Sequence, residues 1–433
     1  MKKFRIAKKQ SNRRFRNRLY REKSNGLPWL KVLITACAIV LVIAVMIFAF
    51  YLDSDISKQE ETVVPTETTV EVTETSPTTV PETLAPVDKL INMSPYEAYD
   101  ILNEENEKIY ESDFELPVVG ATAYVSVNTQ VYSNSDLSGE VVGDLYASDA
   151  FYITEDKGAV WKICSYSGIE GYISNSTCFI NLPDIIPSIV YNITNSSSSI
   201  FLSSKKEIPN VTGEKLMDFY KYNERYDKDM YMAFIQYPMA YKIQQAQNSA
   251  LKDGNTLVIY ESYRTYEAQM RVADSLIELA ATNDEVNAGL SGSPWALNWF
   301  IATGLSTHQM GCAIDVTIAH IDGFDVQNCG EHRFLNVIDC EEYQMQCAMH
   351  ELSTQAVSLA YPVNGRDNQW VDVPDNSLMT EASKMLKKYC TEAGMAPLAS
   401  EWWHFDDWDA VDNLGDNYQY EYYFSDCVSK PLS

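Results

Sequence analysis

The chain is 433 residues long, 46% hydrophobic and 12% aromatic, with 33 Lys and Arg against 60 Asp and Glu. That length suits two or three domains, and so apolar a composition excludes a wholly disordered chain. The net charge of −27 argues against phosphate-backbone binding by the main body, and so against a nucleic-acid partner.

Charge is unevenly spread. Residues 1–31 hold twelve Lys/Arg and one acid, Glu22, whereas the remainder carries 21 bases against 59 acids. Residues 32–52, VLITACAIVLVIAVMIFAFYL, contain no charge. A helix of that length spans about 30 Å, the thickness of a bilayer core. The sequence therefore predicts a single transmembrane helix, with the basic tail 1–31 cytoplasmic and everything beyond it extracytoplasmic. A cleaved signal peptide would have a shorter apolar core. Residues 53–88 are rich in Thr, Pro and Glu; they cannot bury enough apolar surface to fold and read as a disordered stalk. Residues 89–118 form a connector with helical character.

From 119 to 181 short alternating apolar runs (ATAYVSVN, EVVGDLY, AFYITE, VWKICSY, EGYISN) are separated by turn residues. This pattern predicts a small all-β unit. Val142 to Leu145 (V-G-x-L), Trp161 to Ile163 (W-x-K-I) and Gly168 to Ile173 (G-x-x-G-Y-I) resemble the motifs of bacterial SH3-like domains. The resemblance implies a small barrel that often holds cell-wall material; a plain spacer is the alternative. Beyond residue 185, helical and strand patterns alternate to the end, an α+β arrangement. Residues 231–254 have helical spacing ending at Gly254, and a strand from Leu257 to Tyr260 runs into a turn carrying Arg264.

Nine cysteines are present. Cys37 lies in the apolar segment; the other eight permit disulfides in an exported chain without fixing their pairing. Cys164 with Cys178, and Cys390 with Cys427, are candidates. No C-x-x-C pair occurs, which argues against a cysteine zinc ribbon.

Two of the five histidines stand in unusual company. In Ser306-Thr307-His308-Gln309-Met310-Gly311-Cys312-Ala313-Ile314-Asp315, Asp315 falls in an apolar strand, where a carboxylate is costly unless it is paired or binds a metal. Gly311 would let the chain turn so that His308 reaches the same point. In Glu401-Trp402-Trp403-His404-Phe405, Glu401 and His404 share a face if the chain turns there. His308, Asp315 and His404 supply three ligands, the number that leaves a catalytic zinc one open position. Glu401 is then the candidate general base.

S-x-H-x-x-G-x-A-x-D (Ser306 to Asp315), E-x-W-H (Glu401 to His404) and Ser262-Tyr263-Arg264-Thr265-Tyr266 with Gln269 resemble the zinc D-alanyl-D-alanine peptidases of the VanY/VanX type, peptidase family M15. The likeness covers about residues 185–410 and places a peptidase domain at 185–430. It implies a small antiparallel sheet flanked by helices, with Zn2+ held by His308, Asp315 and His404 and Glu401 as the base. It further implies Arg264 facing negative charge in the substrate, with Ser306 and Gln269 lining the pocket. E-W-W-H-F and A-I-D-V-T look like the dipeptidase branch, His308-Gln309-Met310-Gly311 like the carboxypeptidases, and the insert 322–370 like neither. An extracytoplasmic location favours a carboxypeptidase acting on peptidoglycan stem peptides. A dipeptidase, a cross-link endopeptidase and a non-catalytic cell-wall-binding protein are the alternatives. His350 starts like a zincin helix, but no second histidine follows at the needed spacing, so it reads as structural. His320 and His332 have no partner pattern.

Overall fold

The computed structural model describes residues 84–425 and 429–432, and residues 81–433 form one compact unit. The basic tail, the apolar segment 32–52, Cys37, Cys427 and most of the stalk lie outside the described residues. Helix α1 (Pro95–Glu107) opens on a capping box, in which Ser94 and Glu97 bind each other's backbone N–H and Pro95 sits in the first turn. Seven strands follow: β1 (Thr122–Val125), β2 (Thr129–Tyr132), β3 (Val141–Leu145), β4 (Ala150–Asp156), β5 (Val160–Ser165), β6 (Glu170–Ser174) and β7 (Cys178–Asn181). In β5 the alternation places Trp161, Ile163 and Ser165 inward, as the sequence pattern requires.

These strands do not close into a separate small barrel. Strand β9 (Phe234–Gln236), which follows the short β8 (Val190–Tyr191), pairs with β7 and completes an eight-stranded antiparallel sheet in the order β9-β7-β1-β4-β5-β6-β2-β3. An uncovered β7 would expose a row of unpaired N–H and C=O groups; covering it buries all four of its residues. Because β9 takes residues 234–236, helix α2 (Tyr237–Lys252) starts later than the helical spacing from 231 predicts, with Pro238 in its first turn. Trp161 packs against Tyr237 with ring centroids 4.4 Å apart, so one apolar core runs beneath the strands and the helix.

The second sheet has six strands. Strand β10 (Asn255–Glu261), buried throughout, lies parallel to β8 and antiparallel to β11 (Ala313–Cys329). The long β11 also pairs with β12 (His332–Glu342) and, near its start, with β14 (His404–Asp406), whose outer neighbour is β13 (Ala396–Pro397). Helices α3 (Tyr266–Thr282), α4 (Asp284–Ser291), α5 (Thr307–Met310), α6 (Glu381–Glu392) and α7 (Trp408–Leu414) complete the α+β architecture.

The class is thus α+β, but the expected small sheet is replaced by large sheets of eight and six strands. Among the described residues no helix is long and apolar enough to cross a membrane. The single-pass membrane localisation expected from residues 32–52 has no support in the described structure and is set aside. The seven described cysteines, Cys164 and Cys178 included, are free thiols.

Candidate metal centre

Strand register builds the site. Asp315 stands opposite His404 of β14 on one side and Glu261 of β10 on the other. His308 arrives on α5, a single turn started by a capping box between Ser306 and Gln309 and ended by Gly311 at φ +68°. That left-handed conformation suits glycine, and an added Cβ would run into the Phe179 ring. Residues 401–403 form the turn into β14, which brings Glu401 back beside His404.

His308 Nε2 lies 3.2 Å from Asp315 Oδ1 and 3.1 Å from His404 Nδ1, and His404 Nδ1 lies 3.0 Å from the same Oδ1. The far nitrogens fix the tautomers. His308 Nδ1 contacts the Ser262 carbonyl at 2.6 Å and His404 Nε2 the Asp406 carboxylate at 2.9 Å. Both partners only accept, so those nitrogens carry the protons and turn lone pairs toward each other and toward Asp315. Three proton-free donor atoms at this spacing repel unless a cation joins them. Donors about 2.0–2.1 Å from one tetrahedral ion lie roughly 3.3 Å apart, so the set fits a divalent metal, and its two imidazoles and one carboxylate suit zinc. Without metal a proton must serve. Burial opposes it, but the Asp406 and Asp315 carboxylates hold His404 well above the usual imidazole range.

Glu401 Oε2 stands 4.0 Å from His404 Nδ1. Burial pushes its carboxyl up to about 8, opposed by His404 and Arg264 and reinforced by Asp315. Arg264 is buried and committed. Its Nε and Nη2 donate to Glu261 at 2.7 Å each, Nη1 donates to Gln269 Oε1 at 2.7 Å, and Nη2 reaches Asp315 Oδ2 at 3.2 Å. Gln269 itself donates to the Ala302 carbonyl, and the half-buried Ser306 hydroxyl lies 3.4 Å from Gln269 Oε1.

His308, Asp315, His404, Glu401, Arg264 and Gln269 therefore converge, with Ser306 joined through Gln269. Sequence reasoning missed Glu261 and His350. His350 Nε2 stands 3.0 Å from Asp315 Oδ2, so the histidine read as structural reaches the centre. Glu261, Asp315 and His350 form a second cluster of metal-ligand type, but the Arg264 guanidinium already supplies its positive charge. Glu261 carried a readable signal, a carboxylate ending the apolar run LVIY. His350 carried none, because it sits in a segment without regular pattern, 35 residues from its partner Asp315.

Residues 221–426 match the family model Peptidase_M15, described as D-ala-D-ala dipeptidase. All the residues of the centre lie inside that range. The match leaves residues 119–181 outside, so the SH3-like resemblance gains no support, and it does not separate the VanY from the VanX type. No curated protein matches the chain. Over residues 221–426 the chain is accordingly similar to the M15 peptidases, a likeness that supports a metallopeptidase hydrolase and points to D-Ala-D-Ala-like substrates.

Proposed function

We propose that this domain is a zinc-dependent D-alanyl-D-alanine carboxypeptidase that removes the terminal D-alanine from peptidoglycan stem peptides. The observation that carries the reading is the convergence of three atoms of metal-ligand type, His308 Nε2, Asp315 Oδ1 and His404 Nδ1, beside a buried carboxyl, Glu401. When bound, zinc supplies a Lewis acid for the scissile carbonyl and acidifies a water molecule. Glu401 takes a proton from the attacking water and passes it to the departing D-alanine nitrogen, a task for which a base poised near neutrality is suited. Arg264 aims four of its five N–H bonds at Glu261, Gln269 and Asp315. The remaining one is left for the developing oxyanion or the substrate carboxylate. Gln269 locks that guanidinium in place, and Ser306 borders the approach.

The carboxypeptidase reading draws on the His308-Gln309-Met310-Gly311 step. A dipeptidase using the same residues is the second reading, favoured by the description of the matching family model. Incubating the zinc-loaded protein with a pentapeptide stem and with free D-Ala-D-Ala, and following free D-alanine by mass spectrometry, separates them. Release from the stem is expected. Cleavage of the dipeptide alone supports the second reading, and cleavage of neither overturns both.

A further inference from the structure

Asp315 has two oxygens with different neighbours. Oδ1 faces His308 and His404. Oδ2 faces Arg264 Nη2 at 3.2 Å and His350 Nε2 at 3.0 Å. We propose that His350 is a positioning residue of the metal centre: its Nε2–H holds Oδ2, so that Oδ1 stays turned toward the metal. This rests on the zinc reading above and extends it to a residue outside the three motifs.

The local structure is built to deliver that one nitrogen. His350 is fully buried. Its ring stacks on Phe201 at 4.2 Å with planes 12° apart, and the Trp403 ring stands against it at 5.9 Å. The backbone is pinned on both sides: Leu202 N–H donates to the His350 carbonyl at 3.1 Å, and Leu352 N–H donates to the Leu202 carbonyl at 2.8 Å. His350 itself adopts φ +60°, a conformation that side-chain-bearing residues hold only when their surroundings impose it. A carboxylate can only accept, so Nε2 carries the proton and Nδ1 is left with a lone pair. No partner for Nδ1 exists among the described residues. Simple packing would be served better by an apolar ring, which has no orphaned nitrogen. The contact to Asp315 is what an imidazole adds.

Arg264 does not make His350 redundant. Its shortest bonds, all 2.7 Å, go to Glu261 and Gln269, and its reach to Oδ2 is the longer of the two contacts there. Without His350, Oδ2 would keep only the longer contact, to Arg264. Phe201 also lies against the Arg264 guanidinium at 5.3 Å, so one aromatic ring backs both groups that hold Oδ2. Both Phe201 and His350 sit outside the three sequence motifs, and Phe201 lies ahead of the family match.

The test uses the full chain and three variants: His350→Phe, which keeps a ring on Phe201 but loses the donor, His350→Gln, which restores one, and Glu401→Gln as reference. Zinc affinity by chelator competition, metal count per chain and the visible spectrum of the cobalt-loaded protein are read without substrate. For His350→Phe, a loss of about 10–100-fold in zinc affinity and a shifted cobalt spectrum are expected, with partial rescue in His350→Gln. Unchanged affinity and spectrum in His350→Phe overturn the proposal, as does a second bound metal that disappears with His350. If His350→Phe does not fold, nitrogen-15 spectra of the histidine-labelled wild type decide. A proton on Nε2 with Nδ1 bare supports it, and the opposite tautomer overturns it. A wild type that binds one zinc through this centre yet cleaves nothing sinks the peptidase reading and leaves the role of His350 intact.

Discussion

Glu261 and Arg264 are both buried, and their pairing is bidentate at 2.7 Å. Burial works against the Glu261 carboxylate, yet Arg264 keeps it below its ordinary range. Removing one partner of such a pair strands the other's charge, so Glu261→Gln should lower stability by about 3–5 kcal/mol in urea unfolding. A loss below about 1 kcal/mol would show that water reaches Arg264. Glu261 meets the centre through Arg264 and lies 3.8 Å from His350 Nε2, so its loss should also loosen zinc binding. At this scale the sequence was legible wherever a functional side chain stood in an odd setting: Asp315 in an apolar strand, Glu401 and His404 among tryptophans. Glu261 obeys the same rule, as a carboxylate closing the apolar run LVIY. His350 was not legible. Its role depends on which oxygen of Asp315 it meets, and no spacing in the chain encodes that.

Among the elements, α5 and the first residues of β11 determine whether His308 and Asp315 meet. Gly311 makes the join, with φ +68° and the Phe179 ring where a Cβ would stand. Gly311→Ala should therefore cost at least about 1–2 kcal/mol from the left-handed backbone alone, more with the clash, and should weaken zinc binding. Equal melting temperatures for wild type and variant would contradict this. The need for a turn at Gly311 was visible in the sequence, and so was the strand from Ala313 onward. The sheet into which that strand fits was not. Pairing between β7 and β9 joins residues more than fifty apart in the chain, and the helical spacing from 231 hid a strand at 234–236. Local pattern reports period and cannot report a neighbour supplied by a distant segment.

At the scale of the whole unit, residues ahead of the family match are tied into the core by buried polar groups. Glu115, in the chain after α1, accepts from the Ser188 N–H at 2.9 Å and the Ser188 hydroxyl at 2.5 Å. Burial raises its carboxyl to about 7, against an ordinary value of 4.5, with the Ser188 bonds opposing. The folded protein thus holds this proton up to about pH 7, while the unfolded chain holds it only to about 4.5. Between those values unfolding releases a proton, so this group's contribution makes stability fall as pH rises, by up to about 3 kcal/mol. Glu115→Gln should remove that slope and match the wild type best below about pH 5. A variant whose melting temperature tracks the wild type in parallel from pH 4.5 to 8 would refute the assignment. The α+β class was legible from the alternation of periods. The merging of the all-β stretch with the rest was not, because burial shared between two segments leaves no mark in either one.

In the proposed reaction a metal held by His308, Asp315 and His404 and a proton moved by Glu401 together cleave a D-alanyl bond. Zinc-loaded wild type and Glu401→Gln, given a peptide ending in D-Ala-D-Ala, test it most directly. Both proteins are expected to hold one zinc, the wild type to free D-alanine, and the variant to do so about 10²–10⁴-fold more slowly. A variant as fast as the wild type, with zinc in place, would contradict it.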